Sequence, residues 1–575
     1  MNYAALTDYL IDEAEDRLEY FLKFQFAEGS PYSGAVPEPD RLCPPFPRNA
    51  SIRLLEIIAL WLCPQSRYFA HSEIPSRAKR TFAYLRREQR PSGNIDLWDC
   101  NFDSAPDSGF FLWDLVPIYR LLEKIPADFP ADMADAANSL KNEVKDIILL
   151  VLEGLLNGGF HTANHRWVMA SSLAAGYKLT GNSAYLDKAN QYLAEGIDCN
   201  DDGEYSERSA IYNAVNNQAM IALFEELGDR KYLEFVQRNL HMMVCFFEAD
   251  GSLFTGNSTR QDRGKKMYAG RYLYQYLYIA HHMKDEEAAR IAAYIASFYI
   301  KTRQRPGPDC FAFLTLHPEI DLSGQIFKTA FNDARGAVAR LPDYNRYFKS
   351  SGIARNKKGG FSFSLVHNNP AWLGFNSGTL GGCCRISLGY FSYGNVKIDN
   401  LETIENGYKF SFEAVGYYFE PLENPTGDLV NFRAENHSVR RLQHPNKSGL
   451  EITVRYNDGN TPSEATGVAS GGIDLDFTSS GINGVHYCFE FILPALIPVS
   501  GDHFALIPKP GDYILLKDGN VTLRDADSGF TIRGGFASTE LFATSRNGVE
   551  RSAEGFTVYM NATTPFSKTV SIIPL

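Results

Sequence analysis

No apolar run in this sequence is long enough to cross a bilayer. The longest, IIALWLC (Ile57–Cys63) and IILLVL (Ile147–Leu152), fall far short of the roughly 20 residues a membrane helix needs. The opening stretch, MNYAALTDYLIDEAEDRLEYFL, lacks the basic start and apolar centre of a secretory signal and reads as an amphipathic helix. Positive charge is also short. The 56 Lys and Arg against 68 Asp and Glu leave a net charge of −12, which argues against nucleic acid as the principal partner. The densest basic stretch, SRAKRTFAYLRREQR (Ser76–Arg90), carries its cations at helical spacing and reads as a solvated face. Nine cysteines include no CxxC pair, and reduced thiols in a cytoplasm are the simplest account. No cluster of His, Cys, Asp or Glu has ligand spacing, so neither a metal nor a cofactor is expected.

What is present points to a large globular protein. A chain of 575 residues exceeds one core and suits two domains. Aromatics make up 13%, with 31 Tyr and 39 Phe; they fit a large aromatic-packed core, and such residues also line sugar clefts.

The two halves follow different periods. Up to about residue 300, segments such as RNASIRLLEIIALWLC, AYLDKANQYLAEGI, NNQAMIALFEELG and EEAARIAAYIASFYI carry apolar residues at helical spacing. Many consecutive amphipathic helices of moderate length predict an α/α toroid, and no fixed-period repeat favours a solenoid instead. KTRQRPGPDC (Lys301–Cys310) interrupts the pattern and marks a linker, expected over 306–330. Beyond it the period becomes two, in GGFSFSLVHN, RISLGYFSYGNVKI, YKFSFEAVGYYF and VHYCFEFILP. The expected architecture is therefore an α+β multidomain chain: an N-terminal α/α toroid over 1–305 and a C-terminal antiparallel β-sandwich over 331–575.

Four polar clusters stand out. ANHRWVMASSLAAGYKLTG opens a helix with Asn164, His165 and Arg166, where Thr162 or Asn164 can act as cap. The positive end of the helix disfavours imidazolium, so His165 is expected to stay neutral and able to accept a proton. In DDGEYSERSAIYNAVNNQAM, helical spacing puts Arg208, Tyr212 and Asn216 on one stripe, with Ile211, Val215 and Ala219 on the apolar one. An Arg beside Tyr212 favours its charged form. In GNSTRQDRGKK, Arg260 and Gln261 can grip a carboxylate. In WDCNFDSAPDSGFF, Trp98, Asn101 and Asp107 fit either a capped turn or one wall of a sugar site. Taken singly, each cluster has an ordinary reading as cap, surface His, half-buried Tyr or solvated loop. Together they fit one chemistry, β-elimination at a uronic acid. That reaction needs a group to neutralise the carboxylate, a base at C5 and an acid for the leaving oxygen.

These segments resemble the heparinase II/III-like and oligoalginate lyase group of polysaccharide lyases. The resemblance rests on the Asn164–His165 pair, on DGEYSERSAIYNAVNNQA, on the RQD run at Arg260–Asp262, and on SGIARNKKGGFSFSL at the start of the second half. It implies an α/α toroid with a β-sandwich, with Tyr212 as the acid and a candidate base. His165 is the alternative base, or joins Asn164 in neutralising the carboxylate. Arg208, Arg260 and Gln261 are candidates for substrate anchoring, with Arg166, Asn101, Asp107, Tyr205 and Trp98 around them. The group often adds a His from its sandwich, for which His367 in LVHNNPAW is the candidate; some relatives hold a zinc there, for which this sequence has no ligand cluster.

Two rivals remain open. A toroid glycosidase would use carboxylates such as Asp103, Asp107, Glu207 or Asp262. A non-catalytic carbohydrate-binding protein would use the same scaffold without turnover. The expected partner is a uronate-containing oligo- or polysaccharide, with no nucleic acid and no membrane, and with a homodimer left open.

Overall fold

The computed structural model describes residues 3–38, 43–304, 307, 309–333, 341–423, 440–458, 471–526, 528–540 and 548–575. The chain divides into two compact units. One comprises Met1–Val244 with Ser258–Leu341, the other Cys245–Asn257 with Pro342–Leu575.

The first unit is helical. Among the described residues its α-helices are α1 (Tyr3–Phe24), α2 (Pro47–Trp61), α3 (Ile74–Glu88), α4 (Ala105–Glu123), α5 (Ala131–Asn157), α6 (Ala163–Thr180), α7 (Ser183–Leu193), α8 (Ala210–Leu227), α9 (Lys231–Val244), α10 (Leu273–Met283), α11 (Glu286–Thr302), α12 (Asp309–Leu316) and α13 (Gln325–Asp333). None of these helices is long and apolar enough to cross a membrane. Helix α2 packs on α4, α4 on α6 and α6 on α8, while α12 packs on both α2 and α4. The helices of this row are buried almost all round. In α6 every residue from Trp167 to Gly176 is buried, which the small residues of VMASSLAAG permit. Gly176 is needed there, because a Cβ would come 2.4 Å from a Leu152 methyl of α5.

Two expectations change here. Much of the stretch expected as a linker, 306–330, is α12 and the beginning of α13, both belonging to the helical unit; residues 305–306 and 308 lie outside the described residues. The cause is apolar content. Cys310, Phe311, Ala312, Phe313 and Leu316 are buried, and each large buried side chain contributes roughly 1.5–3 kcal/mol. The faces of α8 also depart from the expected stripes, although Ala219 is buried as expected. The helix starts at Ala210, so Arg208 precedes it in a left-handed turn with φ 50°. Its buried face carries Asn213, Asn216 and Asn217, while Ile211 and Val215 are only half-buried. Asn217 donates to Asn239 (2.8 Å) and Gln275 (3.1 Å) and accepts from the Tyr205 hydroxyl (3.1 Å). A buried amide satisfied in this way, as Asn217 is, can stand where an apolar residue would.

Helix ends set the site. Ser104 caps α4 by accepting from the Asp107 amide, and Ser209 caps α8 by accepting from the Tyr212 amide. Thr162 precedes α6 without a side-chain cap bond; its carbonyl accepts from the His165 amide. Helices α6 and α8 both stop at a left-handed glycine, Gly181 (φ 73°) and Gly228 (φ 74°). The first turns of three consecutively packed helices thus carry Asp107, Asn164 with His165, and Tyr212.

The second unit is built from two large sheets. The first runs in the order Tyr513–Leu515, Phe556–Thr563, His486–Leu493, Leu380–Tyr390, Leu373–Ser377, Phe361–Val366, Ile353–Lys358, Tyr344–Phe348. The second runs from Asp399–Ile404 through Gly407–Phe419, Leu442–Asp458, Gly471–Gly481, Ser567–Pro574, Ser528–Arg533 and Asn520–Asp525 to Val499–Gly501 and Ala505–Leu506. Among the described residues the pairing of these strands is antiparallel except between Tyr513–Leu515 and Phe556–Thr563. Alternating residues of both sheets enter one apolar core. There Trp372 meets Phe410 edge-on at 5.2 Å, Phe489 meets Phe477 at 4.7 Å and Phe375 meets Phe530 at 5.1 Å. Arg355 is fully buried in this unit. It donates to Glu248 (3.0 Å), the Cys245 carbonyl (2.9 Å) and the Tyr344 hydroxyl (2.8 Å), which fastens the segment Cys245–Asn257 to the sheet.

Candidate active site

In the helical unit, four side chains from three places in the sequence form a connected group around Tyr212. The half-buried Tyr212 hydroxyl accepts from Arg260 Nη2 (3.2 Å) and Gln261 Nε2 (3.0 Å), and the Arg260 guanidinium lies 4.6 Å over the Tyr212 ring. The Tyr212 oxygen in turn raises the Arg260 guanidinium above its ordinary range. Arg260 Nε sits 3.7 Å from the Glu207 carboxylate. The loop carrying Arg260 and Gln261 is itself fixed. Asp262, 1% exposed, accepts from Ser209 (3.0 Å) and Ser258 (2.5 Å), so the cap of α8 and the loop share one carboxylate. Thr259 adds a hydrogen bond to the Glu207 carbonyl at 2.8 Å.

Glu207 links this group to α6. It accepts from the backbone amide of Asn164 (3.1 Å) and from Asn164 Nδ2 with both oxygens (3.0 and 2.8 Å). Burial raises the Glu207 carboxyl, against the pull of the Asn164 donors and Arg260. Asn164 Oδ1 and His165 Nδ1 are buried without a hydrogen-bond partner among the described residues. Burial pushes the His165 imidazole down to about 4; neighbouring His161 and Arg260 add to this, and Asp107 opposes it. The ring meets His161 edge-on at 4.8 Å and Phe110 at 6.0 Å. A phenol held by two N–H donors is thus joined, through Arg260, Glu207 and Asn164, to the helix turn that carries a neutral imidazole. This set can move a proton and receive an anion.

The remaining expected residues divide. Asp107 is near His165 and is held by Asn101 (3.0 Å) and Ser104. Trp98 is 40% exposed and stacks on Phe46 at 5.4 Å. Three of the expected residues have other partners. Arg166 turns to Glu195 (2.8 Å) and Asp198 (3.4 Å) and lies over Trp167, because a helix's first-turn neighbours point to different faces. Arg208 pairs with Glu204 at 3.5 Å from its left-handed turn. Tyr205 is wholly buried, with its hydroxyl committed to Asn217, and burial raises its phenol well above the usual range. His367 belongs to the second unit, where it bonds Asp399 at 2.9 Å.

No family model matches this sequence, and no curated protein matches it. Solved structures do. A xanthan lyase from Paenibacillus matches with a TM-score of 0.50 at 10% identity, covering 99% of this chain and 57% of that one. The chain shares the fold of that lyase. Also similar are the heparan sulfate lyase HepC of Pedobacter heparinus (TM-score 0.47, 10% identity, 98% of this chain and 82% of that one) and a chondroitin AC lyase of Streptomyces coelicolor A3 (0.45, 12%, 99% and 79%).

Sequence reasoning missed Glu207 as the partner of Asn164, weighing it only as a hydrolytic carboxylate. It also passed over Phe110 and His161, which meet the His165 ring.

Proposed function

We propose that this protein is a polysaccharide or oligosaccharide lyase that cleaves a uronate-containing glycan by β-elimination, using its own side chains. The observation that carries the reading is the convergence of Arg260 and Gln261 on the Tyr212 hydroxyl. Two preorganised donors let that oxygen bear negative charge with little reorganisation. In the reaction the C5–H bond breaks, its electron pair forms C4=C5, the C4–O4 bond breaks and O4 receives a proton. Tyr212 delivers that proton, and as phenolate it also serves as base at C5. His165, neutral near pH 7, is the alternative base. Arg260 and Gln261 anchor the carboxylate whose developing charge must be neutralised. Asn164 supports them through Glu207, which engages its amide.

The helical unit reads as an α/α toroid and the second unit as a β-sandwich. The neighbour row α2, α4, α6, α8, with α12 against α2, supports the first; the core shared by both sheets supports the second. Hydrolysis is the weaker reading, because Glu207 and Asp262, two of its candidate carboxylates, are engaged in holding Asn164 and the 258–263 loop.

Ultraviolet absorbance of the conjugated alkene tests the proposal. The protein is incubated with alginate, glycosaminoglycan and rhamnose–glucuronate oligosaccharides beside Tyr212→Phe. A rise with the native chain that Tyr212→Phe lowers by about 10²-fold or more supports it. New reducing ends without absorbance would transfer the reaction to hydrolysis.

A further inference from the structure

A cleft of about 880 Å³ opens between the two sheets of the second unit, lined by Asn345, Asn356, Gly360, Phe361 and Tyr456 among others. Its position follows from strand register. Phe363, in the shared core, stands opposite Asn356, and Asn356 stands opposite Asn345 on the edge strand. Directly opposed residues on neighbouring strands share a face. Two amides therefore occupy core-facing positions, where a sandwich ordinarily places apolar side chains. On the facing sheet the inward row Leu450, Ile452, Val454 ends in the half-buried Tyr456.

The polar groups of the cleft are held in place. The Asn345 oxygen accepts from the hydroxyls of Tyr408 (3.0 Å) and Tyr456 (2.9 Å). Both of its lone pairs are used, so the amide is locked and its two N–H donors point away from the phenols. Neither Asn345 nitrogen donor nor the Asn356 side chain has a hydrogen bond to a described residue. Glycine keeps the space open. Gly359 and Gly360 join the strands Ile353–Lys358 and Phe361–Val366, and Gly359 takes the left-handed φ of 58° that the first position of such a turn requires. Gly360 has no such φ, and a Cβ there would meet nothing within 4 Å. Neither backbone conformation nor packing asks for glycine at 360; its missing side chain leaves the cleft unfilled.

These walls fit a sugar without charge. Fixed amide donors on one side suit the hydroxyl rim of a pyranose, and the Tyr456 ring on the other suits its C–H face. The lining charges are mixed in sign: Lys357 and Lys358 face Asp343, which lies 3.5 Å from Lys357 and accepts from the Gly359 amide at 2.8 Å. No set of like charges is gathered for an ionic ligand. The volume falls within the roughly 300–1,000 Å³ of whole-ligand pockets, which suits several sugar rings better than one.

We infer that this cleft binds an uncharged oligosaccharide, with Asn345 and Asn356 donating to sugar hydroxyls and Tyr456 offering its ring. It is a glycan-binding site belonging wholly to the second unit, and it needs no turnover. The identity of its ligand is argued from its own walls and does not rest on the elimination reading.

Isothermal titration of the full chain tests it. Cellotetraose, mannotetraose and xylotetraose are the uncharged probes, and tetragalacturonate is the charged one. At least one uncharged probe is expected to bind. Asn345→Asp keeps an acceptor for both phenols but removes the donors, and should weaken that probe by about tenfold or more. Gly360→Leu places a side chain in the open space and should abolish binding; if Asn345→Asp does not fold, this variant alone carries the test. Arg260→Gln should leave the affinity for the uncharged probe unchanged. Failure of all three uncharged probes to bind, binding that survives Gly360→Leu, equal loss in Arg260→Gln, or tighter cleft-dependent binding of tetragalacturonate overturns the inference. Elimination is read separately, as alkene absorbance, and should proceed at the native rate in Gly360→Leu. Silent absorbance with cleft-dependent binding intact rejects the lyase reading and keeps this site. Absorbance without such binding does the opposite.

Discussion

Arg260 holds Tyr212 in two ways at once: its guanidinium stacks 4.6 Å over the ring, and its Nη2 donates to the hydroxyl at 3.2 Å. Lysine can supply the charge but not the planar stack with a directed donor. Arg260→Lys is therefore expected to lower kcat by about tenfold or more, and Arg260→Gln by about 10²–10³-fold. KM should change less than kcat in both. Steady-state kinetics by alkene absorbance checks this, and a loss confined to KM would make Arg260 a binding residue only.

Glu207 meets Asn164 with both carboxylate oxygens, and both residues are buried. Glu207→Ala leaves the Asn164 amide donors unpaired, which costs roughly 1–3 kcal/mol. Glu207→Gln keeps one acceptor but turns an N–H towards the Asn164 amide, and should fall between the two. Urea denaturation measures the stability. Activity in both variants should drop further than stability alone explains, because Arg260 loses its acidic neighbour at 3.7 Å. Full activity in Glu207→Ala would separate Glu207 from the site.

How far the sequence revealed these partners depends on what kind of signal each left. The switch from helical to two-residue period is a local property, and both halves were legible from it. The helices α12 and α13 were not, since prolines and a glycine hid a short apolar segment whose burial is decided by contacts with α2 and α4. At the site, the cluster of residue types was readable but their directions were not. Tyr205 and Tyr212 stand in one short segment, yet one phenol is sealed against Asn217 and the other meets Arg260. Arg208 looked like the partner of Tyr212 by spacing; the actual partner comes from 48 residues away. No periodicity encodes a loop-to-helix contact of that range.

Arg355 and Glu248 form a buried pair in the second unit, at 0% and 3% side-chain exposure. Removing one member strands the other charge and costs about 3–5 kcal/mol. Glu248→Ala is expected to lose that much in chemical denaturation of the second unit. Replacing both with apolar residues of similar volume, Arg355→Met with Glu248→Leu, should recover a large part. Equal destabilisation by the single and double variants would mean that hydrogen bonds to Tyr344 and the Cys245 carbonyl, not the ion pair, dominate the cost.

His165 gives the clearest dependence on pH. Its imidazole is pushed from the ordinary 6.5 down to about 4, first by burial and then by His161. Between about 4 and 6.5 the unfolded chain binds a proton that the folded chain does not. This residue's contribution therefore makes stability fall as pH drops through that window and leaves it flat above it. His165→Gln should remove that part of the acid slope, measured as melting temperature from pH 4 to 7. If neutral His165 is the base, the acid limb of kcat/KM lies near 4 rather than 6.5 and disappears with the same substitution. A limb near 6.5 that survives in His165→Gln would leave Tyr212 as both acid and base.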